Sequence, residues 1–218
     1  MEKNTKKQMA LTISTFILGP IENNTYLIAD MDEKIAAVID PSAASRELIQ
    51  KIRENNWCLE YILITHAHFD HISGVKWLKG QFDNEIKVAL HPADLELWQE
   101  GGSSKDFGFD FCAGSEPDLI LKNNQILQLG ETSIRVLHTP GHTPGHVTFS
   151  IEDALAAFCG DLIFYHGIGR TDLKISNEDD LMKSIKGKIF KLDPKTALYP
   201  GHGPSTTVQE EIENNPFL

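Results

Sequence analysis

Thr65-His66-Ala67-His68-Phe69-Asp70-His71 is the stretch on which the fold turns. It follows Tyr61–Ile64, a wholly apolar run of the kind that forms a strand buried on both faces. In an extended segment alternate residues point to the same side, so His66, His68 and Asp70 converge. His71 points elsewhere, as the chain turns toward a helix near Ile72. One loop thus offers ligands to two adjacent cations.

Three later stations repeat the pattern. Ile134–Leu137 runs into Pro140-Gly141-His142, Ala154–Phe158 into Gly160-Asp161, and Ala197–Tyr199 into Pro200-Gly201-His202. A glycine precedes each ligand-type residue and allows a sharp turn. Strand C-termini are where open sheets gather their sites. Histidine and carboxylate donors without sulfur suit divalent metals, zinc first, with iron and manganese also fitting. Two such shells bridged by a carboxylate hold ions about 3.5–4 Å apart and make hydroxide available near neutral pH. His146, four residues after His142, is placed to support the shell by hydrogen bonding. His91, His138 and His166 lack such a context.

The rest of the chain frames these stations. With 218 residues, 41% hydrophobic and 23% charged, the composition is that of an ordinary globular protein able to build a core. The formal net charge of −11, without a basic patch, argues against a nucleic-acid partner. No segment reaches the roughly 18 apolar residues of a membrane span. Lys3, Lys6 and Lys7 precede the apolar stretch Met9 to Gly19, but Thr12, Ser14 and Thr15 interrupt it, so it reads as a first strand and not as an export signal. Three cysteines without metal-like spacing or a disulfide framework suit the cytoplasm.

Expected strands are Leu11–Leu18, Thr25–Ala29, Ile35–Ile39, Lys87–Leu90, Ile126–Leu129 and Val147–Ile151, besides those already named. Expected helices are 44–55, Val75–Leu78, Pro92–Gln99, Glu178–Ile185 and Thr207–Glu213. Gly101 to Asp118 is a long surface loop. Mixed strands and helices predict two sheets with helices outside.

The segments THAHFDH (65–71), PGHTPGH (140–146), GD (160–161) and PGHG (200–203) resemble the metallo-β-lactamase superfamily, over about residues 12–208. The resemblance implies an α/β (α+β) fold, a four-layer αββα sandwich with the site at one edge. Asp40 is similar to the acidic residue that this superfamily places beneath its metals, although Ser42 stands where a glycine follows in the family.

GDLIFYHGIGRTD (160–172) and YPGHGPST (199–206) are similar to the small glyoxalase II-like hydrolases. That likeness implies one metal on His66, His68 and His142 and a second on Asp70, His71 and His202, with Asp161 bridging. Asp70 would also orient the attacking hydroxide or receive its proton. The implied reaction is thioester hydrolysis, on S-lactoylglutathione or a related small molecule. Full-length glyoxalase II adds a C-terminal helical domain that helps bind glutathione. Here 16 residues follow His202, so a single domain is expected.

The best-known zinc β-lactamases carry Cys where Asp161 stands. The mononuclear-iron persulfide dioxygenases of the same fold lack the PGHG ending, and an RNA-processing nuclease sits poorly with the acidic charge. Phe107, Phe109 and Phe111 are candidates to line an acyl pocket or to anchor their loop. Arg170 is a candidate for a substrate carboxylate or for an ion pair with Asp172. Tyr165 and His166 follow the Asp161 station and would face the cleft.

Overall fold

Burial alternates along the early strands, with both faces covered. In strand β2 (Asn23–Asp30), Leu27 and Ala29 pack to one side and Tyr26 and Ile28 to the other. In β3 (Ile35–Ile39), Ala36 and Val38 oppose Ala37 and Ile39 in the same way. Such period-two burial on both faces requires a sheet sandwiched between two layers. These observations come from a computed structural model that describes residues 10–83 and 85–218. Met9 and the three early lysines lie outside the described residues.

The first sheet runs β1 (Leu11–Leu18), β2, β3, β4 (Cys58–Leu63), β5 (Lys87–Leu90), β6 (Leu119–Ile120). The second runs β14 (Thr206–Thr207), β13 (Ala197–Pro200), β10 (Ala156–Gly160), β9 (Val147–Ile151), β8 (Thr132–His138), β7 (Ile126–Leu129). Between them lies one apolar layer that includes Ile28, Ile39, Leu63, Val136, Phe149 and Phe158. Helices α1 (Arg46–Glu54), α2 (Phe69–Ile72), α3 (Val75–Lys79) and α4 (Leu95–Gln99) cover the outer face of the first sheet. Helices α5 (Glu178–Gly187) and α6 (Val208–Asn214) cover the second. The architecture is therefore helix, sheet, sheet, helix. Among the described residues no helix is long and apolar enough to cross a membrane. All three cysteines are free thiols.

Local chemistry set the boundaries that differ from expectation. Helix α1 begins at Arg46, because Ser45 is its cap and its hydroxyl accepts the Leu48 amide. The segment from Pro92 begins as a single 3-10 turn, Pro92–Asp94, and becomes α-helical only at Leu95. Strand β10 starts two residues late, since Glu152–Ala154 form a turn closed by Leu155 in the left-handed region (φ 49°). The two-residue strands β6 and β14 were not expected, nor was the hairpin β11–β12 (Ile163–Phe164, Gly167–Ile168); such short strands carry no periodic signal.

Strand direction fixes where the site forms. Strands β3 and β4 are parallel, as are β10 and β13, and β8 and β10 both pair antiparallel with β9. The C-terminal ends of β3, β4, β8, β10 and β13 all open onto one edge of the sandwich, and each leads into a residue that reaches the site.

Candidate metal centre

Two groups of ligand-type side chains meet at that edge. His66, His68 and His142 form one, and Asp70, His71 and His202 the other, each with donor atoms within 4.8 Å of one another. Asp161 lies between them. Its carboxylate is 3.4 Å from His71 Nε2, 3.7 Å from His142 Nε2 and 3.8 Å from His202 Nε2. Asp70 stands 3.5 Å from His71 Nε2 and 3.1 Å from His202 Nε2.

The remote ring nitrogens settle which atoms are free. His71 Nδ1 donates to Asp40 (2.9 Å), His142 Nδ1 to the Arg170 carbonyl (3.0 Å) and His202 Nδ1 to the Ile21 carbonyl (3.2 Å). Thr65 Oγ1 donates to Asp40 (2.6 Å), so its oxygen accepts from His66 Nδ1 at 3.1 Å. This leaves the Nε2 lone pairs of His66 and His142 directed at the centre, the arrangement that outer partners impose on metal-binding imidazoles.

Those lone pairs demand a cation. His66 Nε2 and Asp161 Oδ1 are buried without a hydrogen-bond partner. His68 Nε2 is also buried without a partner, while its Nδ1 and His142 Nε2 meet at 2.9 Å. An orphaned buried acceptor costs about 1–3 kcal/mol, and a divalent ion would satisfy several at once. The residues fit a dinuclear metal site of His and carboxylate donors.

The electrostatics divide the centre in two. Burial, reinforced by neighbouring imidazoles, drives His66 well below the ordinary histidine range and His68 down to about 3. Burial also opposes charge on His71, but Asp161, Asp70 and Asp40 outweigh it and raise its pKa. Burial opposes ionisation of Asp161 too; His71, His142 and His202 overcome it and hold the carboxyl well below its usual range. One half is thus built of imidazoles, with His66 and His68 held neutral, and the other is rich in carboxylate.

Asp40 ties the centre to β3. It receives the Thr65 amide (2.8 Å), the Thr65 hydroxyl and the His71 ring. Asp40→Asn keeps the volume but gives up one acceptor, so His71 loses its orientation. The expected result is a 10–100-fold loss of metal affinity, read by competition with a chromophoric chelator.

Two glycines permit the packing. A Cβ on Gly160 (φ +45°) would come within 2.4 Å of Thr65 Oγ1 and 2.8 Å of His146 Nε2, and one on Gly201 within 2.6 Å of His71 Cε1. His146 itself makes no hydrogen bond to a ligand-type side chain. It stacks on His66 (5.3 Å between ring centres) and bonds to Thr139 through Nδ1 (3.0 Å), so its support is by packing.

Sequence reasoning missed Asp94, Asn23 and Asn24. Asp94 is fully buried and accepts the Ala67 amide (3.1 Å), the Thr143 hydroxyl (2.7 Å) and the Gly145 amide (2.6 Å), joining two of the ligand loops. Asn23 Nδ2 lies 3.0 Å from His71 Nε2. Asn24 clamps the third loop through the Pro200 and Gly203 carbonyls.

The expected substrate residues divide. A groove of about 360 Å³ opens beside Asp70, walled in part by Leu18, Ile21, Phe69 and Phe109. Phe107 packs on Phe69 outside this lining, and Phe111 packs against the core. Arg170 makes a bidentate pair with Asp172 (2.9 Å for each contact), both exposed. Tyr165 stacks on His166, which pairs with Glu210 of α6 at 2.8 Å; the aromatic ring of this hairpin beside His202 is Phe164.

Comparison with known proteins agrees with this geometry. Residues 18–202 match the family described as the metallo-beta-lactamase superfamily. The chain is 36% identical to hydroxyacylglutathione hydrolase GloC of Haemophilus influenzae, over 95% of this chain and 98% of that one. It superposes on the BLEG-1 B3 metallo-beta-lactamase with a TM-score of 0.88 at 36% identity, covering 95% of this chain and 99% of that one. A third relative, TTHA1623, was crystallised in a di-iron-bound form; it matches with a TM-score of 0.83 at 34% identity, over 94% of this chain and all of that one. On its sequence, its layers and the matched residues, the chain belongs to the metallo-β-lactamase superfamily.

Proposed function

We propose that this protein is a metal-dependent hydrolase of acyl thioesters. One divalent ion would sit on His66, His68 and His142 and a second on Asp70, His71 and His202, with Asp161 between them. The observation that carries this reading is the buried, unpartnered lone pairs of His66 Nε2 and Asp161 Oδ1, directed into a centre that four other imidazoles border. Bound ions would supply Lewis acidity and ease deprotonation of water.

The chain's own residues do the rest. Asp70 borders both the centre and the groove, and its pKa is lowered, burial being outweighed by His71 and His202, so it is held as the carboxylate. Water adds to the carbonyl carbon, the carbon–sulfur bond breaks, and the thiol leaves with a proton relayed by Asp70. A likeness to GloC supports the thioester, and the all-histidine and carboxylate donor set supports zinc, iron or manganese.

The likeness to BLEG-1 favours a second reading, β-lactam hydrolysis, which is also attack of water on a carbonyl. Metal analysis by mass spectrometry, with a panel of S-lactoylglutathione, simpler acyl thioesters and a chromogenic cephalosporin, separates the two. Two equivalents of metal and turnover of thioesters are expected. Faster turnover of the cephalosporin would favour the second reading, and one iron with oxygen uptake on a persulfide would overturn both.

A further inference from the structure

The groove beside Asp70 is built for an apolar chain. Its walls include Leu18, Pro20, Ile21, Ala44, Phe69 and Phe109, and its polar lining is Asn23, Ser42, Ser73 and Asp70. No lysine or arginine lines it. Its volume, about 360 Å³, lies at the lower end of small-molecule sites.

Large apolar side chains remain in water at its mouth. Ile21 is 48% exposed, Phe109 44% and Phe107, against Phe69, 60%. Isolated exposed hydrophobic residues are ordinary, but a contiguous set around a groove marks a binding surface.

The wall is also fixed relative to the proposed chemistry. Gly102, at the root of the loop that bears Phe107 and Phe109, accepts the Phe69 amide at 2.9 Å. A Cβ on Gly102 (φ +64°) would lie 2.4 Å from that same nitrogen. Phe69 precedes Asp70, and Phe109 meets the Phe69 ring edge-on at 5.1 Å. On the other side, Asn23 borders the groove and touches His71. A chain lying in the groove would therefore present its terminal carbonyl to the centre.

From this geometry we infer that the groove binds the aliphatic acyl chain of the substrate, and that the enzyme prefers apolar acyl thioesters to those with short polar acyl groups. The inference rests on the thioester reading above. A glutathione moiety, with two carboxylates, would find no cation in this lining and must lie outside it.

Two measurements separate this inference from that reading. In the first, S-alkyl thioethers of N-acetylcysteamine with two to eight carbons, which cannot be hydrolysed, are titrated calorimetrically into the metal-loaded protein. Affinity is expected to rise about three- to fourfold per methylene until the groove is filled. In Phe109→Asp, a change at an exposed position, that slope should flatten. In the second, the metal-loaded protein is given the matching acyl thioesters, and kcat/KM should follow the same slope. Affinity independent of chain length, or a slope that Phe109→Asp leaves intact, would overturn the inference. A thioether slope without any thioester turnover would keep the groove and reject the thioester reading.

Discussion

Asp161→Ala is expected to lower kcat/KM about 10³-fold and to reduce bound metal from two equivalents toward one. The carboxylate lies close to imidazoles of both groups, 3.4 Å from His71, 3.7 Å from His142 and 3.8 Å from His202. Removing it would leave each proposed ion with three protein donors and no carboxylate between the two groups. The lost preorganised charge is comparable to deleting a transition-state donor, which costs about 10²–10³-fold alone. Folding should survive, because an uncompensated buried carboxylate is itself expensive without a cation. The check is metal content by mass spectrometry with circular dichroism on the same sample. Full metal content and an unchanged rate would remove Asp161 from the site.

The second large effect is expected at Asp94, which touches none of the proposed metals. Asp94→Ala leaves the Ala67 amide, the Thr143 hydroxyl and the Gly145 amide buried and unbonded. At about 1–3 kcal/mol for each orphan, offset by no longer burying a carboxylate, a net loss of roughly 3 kcal/mol is expected. For a chain of this size that lowers Tm by about 6–12 °C. Ala67 lies between His66 and His68, and Thr143 follows His142, so the three-imidazole group loses its alignment as well. A further 10–100-fold drop in metal affinity should accompany the thermal shift. Asp94→Asn, which keeps one acceptor oxygen, should recover part of both. Thermal unfolding with and without added metal resolves the two contributions.

The contrast between Asp161 and Asp94 shows what a one-dimensional reading catches. Asp161 stands directly after a strand and a glycine, and that local context marks it. Asp94 follows Pro92 and Ala93 at the start of a helical segment, where an acid is expected simply to complement the helix dipole. Its partners are 27, 49 and 51 residues away, and no periodicity encodes them. Asn23 and Asn24 were legible only as turn residues bounding a strand, whereas their amides reach across 48 and 176 residues to His71 and Pro200. Asp40 entered through family resemblance, because nothing in Asp40-Pro41-Ser42 announces a partner at His71. The layers were legible because alternation repeats along each strand. The outer hydrogen bonds were not, because each is made once.

The seam between the sheets carries a consequence for biosynthesis. His66, His68, Asp70 and His71 follow β4 of the first sheet, while His142, Asp161 and His202 follow strands of the second. Each proposed ion draws donors from both. A partly synthesised chain that has emerged only through His71 would offer neither ion a complete set, and the second sheet alone would contribute one histidine to each with Asp161 between them. Capture of the proposed ions would therefore come late, after the halves have closed. Until then the nascent chain would compete poorly for metal, and an ion taken up afterwards would clamp one sheet to the other.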